Sequence, residues 1–220
     1  MKRHFGEQLA DLKETVLRMG GLVEQMTHRA VQALVERKAE LFDEVRAMET
    51  RVNQLHIDID EICLEIIALR QPTARDLRFI AAAMKINTDM ERIGDQAINI
   101  AESAAPLLAV PLLKPLIDIP RMAEIAKEML KNALDAFVNG DDALAAATIT
   151  RDDEVDQLKD QVFRELLTYM MADPSTIPRA MGLILVSRHL ERIADHATNI
   201  CEDVIFMIQG KDVRHQGPLA

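Results

Sequence analysis

Eight oxygen-bearing side chains recur in this sequence as four pairs, each with a four-residue spacing: Glu49 and Asn53, Glu91 and Asp95, Asp152 and Asp156, Glu191 and Asp195. Residues at i and i+4 lie on one face of a helix, so each pair presents its oxygens together. Carboxylates gathered in one patch repel one another unless a positive charge sits among them or their pKa values rise. Such clusters suit hard cations such as Mg²⁺, Ca²⁺ or Mn²⁺, and carboxylate-rich helix pairs also hold iron. A divalent or trivalent metal (Fe, Mn or Mg) is therefore the one cofactor that the pattern admits.

Two of the pairs sit in copies of one segment. Glu91-Arg92-Ile93-Gly94-Asp95-Gln96-Ala97-Ile98-Asn99-Ile100-Ala101-Glu102 returns 100 residues later as Glu191-Arg192-Ile193-Ala194-Asp195-His196-Ala197-Thr198-Asn199-Ile200-Cys201-Glu202, identical at eight of twelve positions. An internal duplication dictates the architecture.

The elements that must position these residues follow from apolar spacing. Leu41, Val45, Met48, Val52, Leu55, Ile59, Ile62, Ile66 and Leu69 form an unbroken heptad seam, the mark of a long bundled helix. Similar seams predict helices near 5–37, 41–70, 74–104, 120–139, 142–172 and 176–209. Gln71-Pro72-Thr73 and Asp173-Pro174 stop one helix and start the next, because proline cannot continue the first. The stretch from Ala105 to Pro120 carries four of the eight prolines and reads as a linker. The expected fold is all-α, a tandem repeat of two antiparallel three-helix bundles, 1–107 and 120–220, joined by a linker at 108–119. The tail beyond Gly210 is polar and expected to be loose.

Antiparallel folding turns sequence into approximate geometry. A fold-back near position 71 sets Glu91 beside position 51 and Asp95 beside position 47, which Glu49 and Asn53 bracket. A fold-back near 173 sets Glu191 and Asp195 beside 155 and 151, next to Asp152 and Asp156. Each bundle thus gathers four polar residues, all carboxylates in the second. The competing reading is an ordinary solvated face, with Arg92 and Arg192 making surface ion pairs of about 0–1 kcal/mol. Recurrence in both copies favours a site. The Glu-x-x-His pattern of di-iron bundles is absent, although His56 and His196 are near enough to supplement ligation.

Composition narrows the rest. Of 220 residues, 49% are apolar and only 3% aromatic, with no Trp and 12 Met, which suits helix-on-helix packing. The net charge of −10 argues against nucleic acid as a partner. Cys63 and Cys201 fall in apolar helical patterns and read as core residues of a reducing compartment. No apolar run approaches the roughly 18 residues that would cross a bilayer, and the first residues carry no signal segment, so a soluble cytoplasmic protein is expected. No Gly-rich phosphate loop, Ser/His/Asp order or activated nucleophile is present, so no catalytic residue is assigned.

The chain resembles the PhoU family of bacterial phosphate-signalling regulators. The likeness runs from about Gly6 to Gln216 and rests on Met19-Gly20-Gly21, Arg70-Gln71-Pro72-Thr73-Ala74-Arg75-Asp76-Leu77-Arg78, Leu167-Thr168-Tyr169-Met170-Met171 and the two segments quoted above. The resemblance implies a cytoplasmic homodimeric adaptor with metal on E/D-x-x-x-D pairs. It also implies negative regulation, linking a high-affinity phosphate ABC transporter, through its ATPase, to a sensor histidine kinase. Asn53 departs from the acidic pattern and weakens the first cluster. The alternative is a metal-dependent hydrolase or metal-storage bundle built on the same carboxylates.

Overall fold

The computed structural model describes residues 2–213, with side chains from residue 5. Among the described residues seven α-helices follow in order: α1 Lys2–Glu36, α2 Glu40–Arg70, α3 Ala74–Leu108, α4 Asp118–Asn139, α5 Asp142–Ile149, α6 Asp152–Ala172 and α7 Ile177–Gln209. No strand occurs among the described residues. The polar tail beyond 213 lies outside them, whereas Val213 is buried.

The stop signals act as expected. Gln71 closes α2 with φ 47, and Gly140 closes α4 with φ 66, its N–H donating to the Ala136 carbonyl. Asp141 then caps α5, its carboxylate accepting from the Leu144 N–H at 2.9 Å.

Two boundaries differ from the sequence expectation. The helix expected over 142–172 breaks at Thr150–Arg151, where Arg151 N–H donates to the Thr148 carbonyl in a tight i→i+3 turn. The third helix runs through Pro106 to Leu108. A proline so near a C-terminus forfeits a single hydrogen bond, and the helix end that follows is capped by Arg37, whose side chain donates to the Leu107, Leu108 and Val110 carbonyls.

The seams point inward as predicted: Val52, Leu55, Ile59 and Ile66 on α2, Ile86, Met90, Ile93 and Ile100 on α3, and Leu183, Leu190, Ile193 and Ile200 on α7 are all buried. Leu69 is 63% exposed, and Cys63 rather than Ile62 is buried outright. A straight helix of 3.6 residues per turn drifts off a 3.5-residue seam, so the last heptad rotates outward.

The halves are not separate bodies side by side. α3 lies against α7, and α1 against α4, and the buried residues form one continuous hydrophobic cluster. Gly20 shows why α1 stays close to α4: a Cβ there would collide with the Leu134 side chain. The α3–α7 contacts are related by the 100-residue repeat. His196 Nδ1 meets Asp89 Oδ1 at 2.8 Å, and the equivalent pair, His189 Nδ1 and Gln96 Oε1, meets at 2.9 Å. The two copies therefore pack around an internal pseudo-two-fold axis that passes near Ile93 and Ile193.

Candidate acidic clusters

Helices α2 and α3 position the first cluster, α6 and α7 the second. In both, the register is about one turn away from the one that the fold-back estimate predicts. A Cβ on Gly94 would touch Val52 at 3.5 Å, and Asn87 donates to the His56 carbonyl at 2.9 Å. Asp95, not Glu91, is thus level with position 51. The cause lies in the connections: α2 and α3 are separated by residues 71–73, and a 3₁₀ turn at Pro174–Thr176 lengthens the link between α6 and α7.

The shift brings a cation into the second cluster. Lys159 donates to Asp156 Oδ1 at 2.7 Å and to Glu191 Oε1 at 2.8 Å, and those two carboxylates hold its ammonium above the ordinary lysine range. Burial pushes the Asp152 carboxyl up from 3.8 to about 6, with Asp195, Asp156 and Glu191 adding like charge. Burial, then Glu191 and Asp156, also raises Asp195. Asp152, Asp156, Glu191 and Asp195 are therefore one electrostatic unit, as the sequence anticipates, with Lys159 as its built-in counter-charge. The D-x-x-K spacing of Asp156 and Lys159 is the signal that sequence reading passed over.

The first cluster is looser. Arg92 pairs with Asp95 at 3.1 Å and with Glu91 at 3.5 Å, neutralising both from their own helix. Glu49 and the exposed Asn53 make no hydrogen bond or ion pair with another described residue. His56 turns to the Asn87 carbonyl and Asp60, and His196 to Asp89, so neither faces a cluster as a ligand. Among the described residues, no group of three or more His, Cys, Asp or Glu side chains converges on a point that a metal ion could occupy. The donor chemistry of the second cluster nonetheless fits a hard cation: of four neighbouring carboxylates, Asp152 and Asp195 have raised proton affinity, and the ammonium bonded to the other two is one that a stronger cation could displace.

Asp152 has a pH signature. It binds its proton more tightly in the folded chain than at its ordinary value of 3.8, so the group favours folding at low pH. That advantage is lost as pH rises through about 6. Asp152→Asn is expected to stabilise the metal-free protein near pH 7.5 by about 1 kcal/mol, after discounting for partial exposure. The gain should vanish below about pH 3, where Asp152 is protonated in both states. Melting curves of both proteins at the two pH values provide the check.

A family model described as the PhoU domain matches residues 16–104 and 119–204, one match per repeat. A phosphate-specific transport system accessory protein PhoU homolog from Aquifex aeolicus is 44% identical over 210 residues, covering 96% of this chain and 95% of that protein. Its counterpart from Pseudomonas putida is 40% identical over 218 residues, covering 99% and 85%. The crystal structure of PhoU from Pseudomonas aeruginosa superposes with a TM-score of 0.90 at 39% identity, covering 94% of this chain and all of that one. The phosphate transport system regulatory protein PhoU from Streptococcus pneumoniae superposes with a TM-score of 0.86 at 28% identity, covering 95% and 99%.

Proposed function

The chain belongs to the PhoU family, and from that premise we propose that it is a non-enzymatic accessory regulator of phosphate transport. The observation that carries this reading is alignment over nearly the whole chain with relatives named as accessory proteins of phosphate-specific transport. In the proposed role, a cytoplasmic homodimer links the ATPase of a high-affinity phosphate ABC transporter to a sensor histidine kinase and damps the starvation response when phosphate is plentiful. Two features support an adaptor. No helix among the described residues is long and apolar enough to cross a membrane, and the net charge of −10 favours basic partner surfaces. Deleting the gene in its source organism should switch on a phosphate-starvation reporter in phosphate-rich medium, and the tagged protein should capture the transporter ATPase and the kinase. Unchanged repression together with capture of neither would sink the reading.

The proposal includes a metal. Asp152, Asp156, Glu191 and Asp195 would hold Fe, Mn or Mg, with Lys159 moving aside, while Glu49, Asn53, Glu91 and Asp95 would form a weaker site. Affinity of hard-cation sites rises with ligand charge, and binding to the folded state alone raises stability by about 2.7 kcal/mol at a hundredfold excess over Kd. Melts with Mn²⁺, Mg²⁺ and Fe³⁺ should shift upward. Asp152→Asn/Asp156→Asn should abolish most of the shift, Glu49→Gln less, and Lys159→Met should enlarge it. No shift with any metal leaves the clusters as solvated faces, and equal loss in both acidic variants defeats the ranking. Metal-dependent phosphatase turnover that disappears in Asp152→Asn/Asp156→Asn would favour the hydrolase instead.

A further inference from the structure

The α6–α7 hairpin exposes six large apolar side chains that its fold does not require. Phe163, Leu167 and Met171 step along α6 at four-residue intervals, and Ile177, Met181 and Leu185 do the same on α7, with exposures from 38% to 78%. The register is set by the Lys159–Glu191 ion pair and by the groove that Phe163 shares with Ile184, Ser187 and Arg188. It brings Phe163 level with Leu185, Leu167 with Met181, and Met171 with Ile177. The result is a ladder of three apolar rungs. Single exposed apolar residues are ordinary, but a contiguous patch marks an interaction surface.

The other repeat is an internal control. Aligning the buried Val155, Leu158, Val162 and Leu166 with Val52, Leu55, Ile59 and Cys63 places Asp60, Leu64 and Ala68 at the α6 positions of the ladder. The 100-residue offset places Leu77, Ala81 and Lys85 at those of α7. The same helix pair therefore folds with two large apolar residues where the second repeat has six.

Charge identifies the occupant. Exposed Arg188 lies beyond the Phe163–Leu185 rung, and exposed Asp173 lies beyond the Met171–Ile177 rung, at the carbonyl end of α6. At 1.5 Å rise per residue, each is about 10 Å along the hairpin from the central Leu167–Met181 rung. A two-fold axis through that rung would bring Arg188 of one copy onto Asp173 of the other and lay each ladder on its equivalent. Copies of a chain with net charge −10 repel elsewhere, whereas on this face exposed Arg164 and Arg188 offset exposed Asp160 and Asp173, and Lys159 is paired with Asp156 and Glu191.

We propose that the α6–α7 apolar ladder is the face through which two copies of this chain associate, around a two-fold axis at Leu167 and Met181. The proposal rests on the homodimeric state inferred above and adds the surface. An isologous contact of this kind is self-complementary by construction, and three methionine-containing or aromatic rungs adapt readily to one another.

Light scattering on the eluting full-length protein across the micromolar range tests it. The wild type should run as two copies, and Leu167→Glu and Met181→Glu should each weaken association at least ~100-fold by placing a charge in a dry contact. Leu64→Glu, at the equivalent position of the first repeat, should leave the dimer intact, and unchanged circular dichroism would establish folding. Cys63 and Cys201 are buried, with thiols pushed up to about 12, so Leu167→Cys supplies a single reactive thiol that a short bis-maleimide should join across the axis. A wild type that is monomeric throughout overturns both the dimer and the face. A dimer that survives both glutamates, with Leu167→Cys left unjoined, overturns the face alone. So does a surviving dimer whose glutamate variants lose capture of the transporter ATPase or kinase, since the ladder would then belong to that partner.

Discussion

Ile193→Ala lowers the stability of the folded chain by about 2–5 kcal/mol, because the truncation leaves a cavity in a close-packed site. Ile193 is 1% exposed and lies where α3 and α7 cross the internal pseudo-two-fold, so neighbours from both repeats surround it. Ile59→Ala, deep in the first repeat at 0% exposure, is expected to cost a similar amount. Urea unfolding measures both against Glu91→Ala, whose side chain is 27% exposed and held only by neighbouring Arg92. That variant should fall within about 0.5 kcal/mol of the wild type. If Glu91→Ala unfolds as readily as the isoleucine variants, the acidic residue is structural and its assignment to a cluster fails.

Arg37→Ala is expected to cost about 2–3 kcal/mol by a different route. The guanidinium donates to three carbonyls at the end of α3, at 2.6 Å to Leu108, 2.8 Å to Val110 and 3.4 Å to Leu107, and hydrogen bonds from charged donors are among the stronger ones. Arg37 itself sits at φ 57, in the left-handed region that only glycine adopts without cost. Arg37→Gly loses the same hydrogen bonds but relieves the backbone, so it should be more stable than Arg37→Ala by about 1 kcal/mol. The expected order of melting temperature is wild type, then glycine, then alanine. Glycine matching the wild type would show that the three hydrogen bonds contribute no more than the roughly 1 kcal/mol that relief of the backbone returns.

The accuracy of the sequence reading depends on which contacts are local. Helix ends at Gln71, Gly140 and Gly210 were legible because turn chemistry acts over a few residues. The buried stripes were legible because helical periodicity places Ile86, Met90, Ile93 and Ala97 on one face whatever they pack against. The break at Thr150–Arg151 and the passage of α3 through Pro106 were not, since each depends on hydrogen bonds around the helix end that residue type alone does not announce.

The same division runs through the acidic clusters and the repeat interface. The i and i+4 pairs, the duplication and the all-α tandem fold follow from spacing, because a helix fixes the neighbours of every residue within a turn. Whether two helices meet at one height or a turn later depends on how the connecting residues fold, and here that single turn exchanges Val155 for Lys159 beside Glu191, with Lys159 bonded to Asp156 and Glu191. The burial of Gln96 against His189, and the pairing of His196 with Asp89, likewise follow only once α3 has packed against α7. Sequence alone determined the elements and the chemistry each carries. Tertiary structure decided which of those chemistries meet, because register and inter-repeat packing are set by distant contacts that no local pattern encodes.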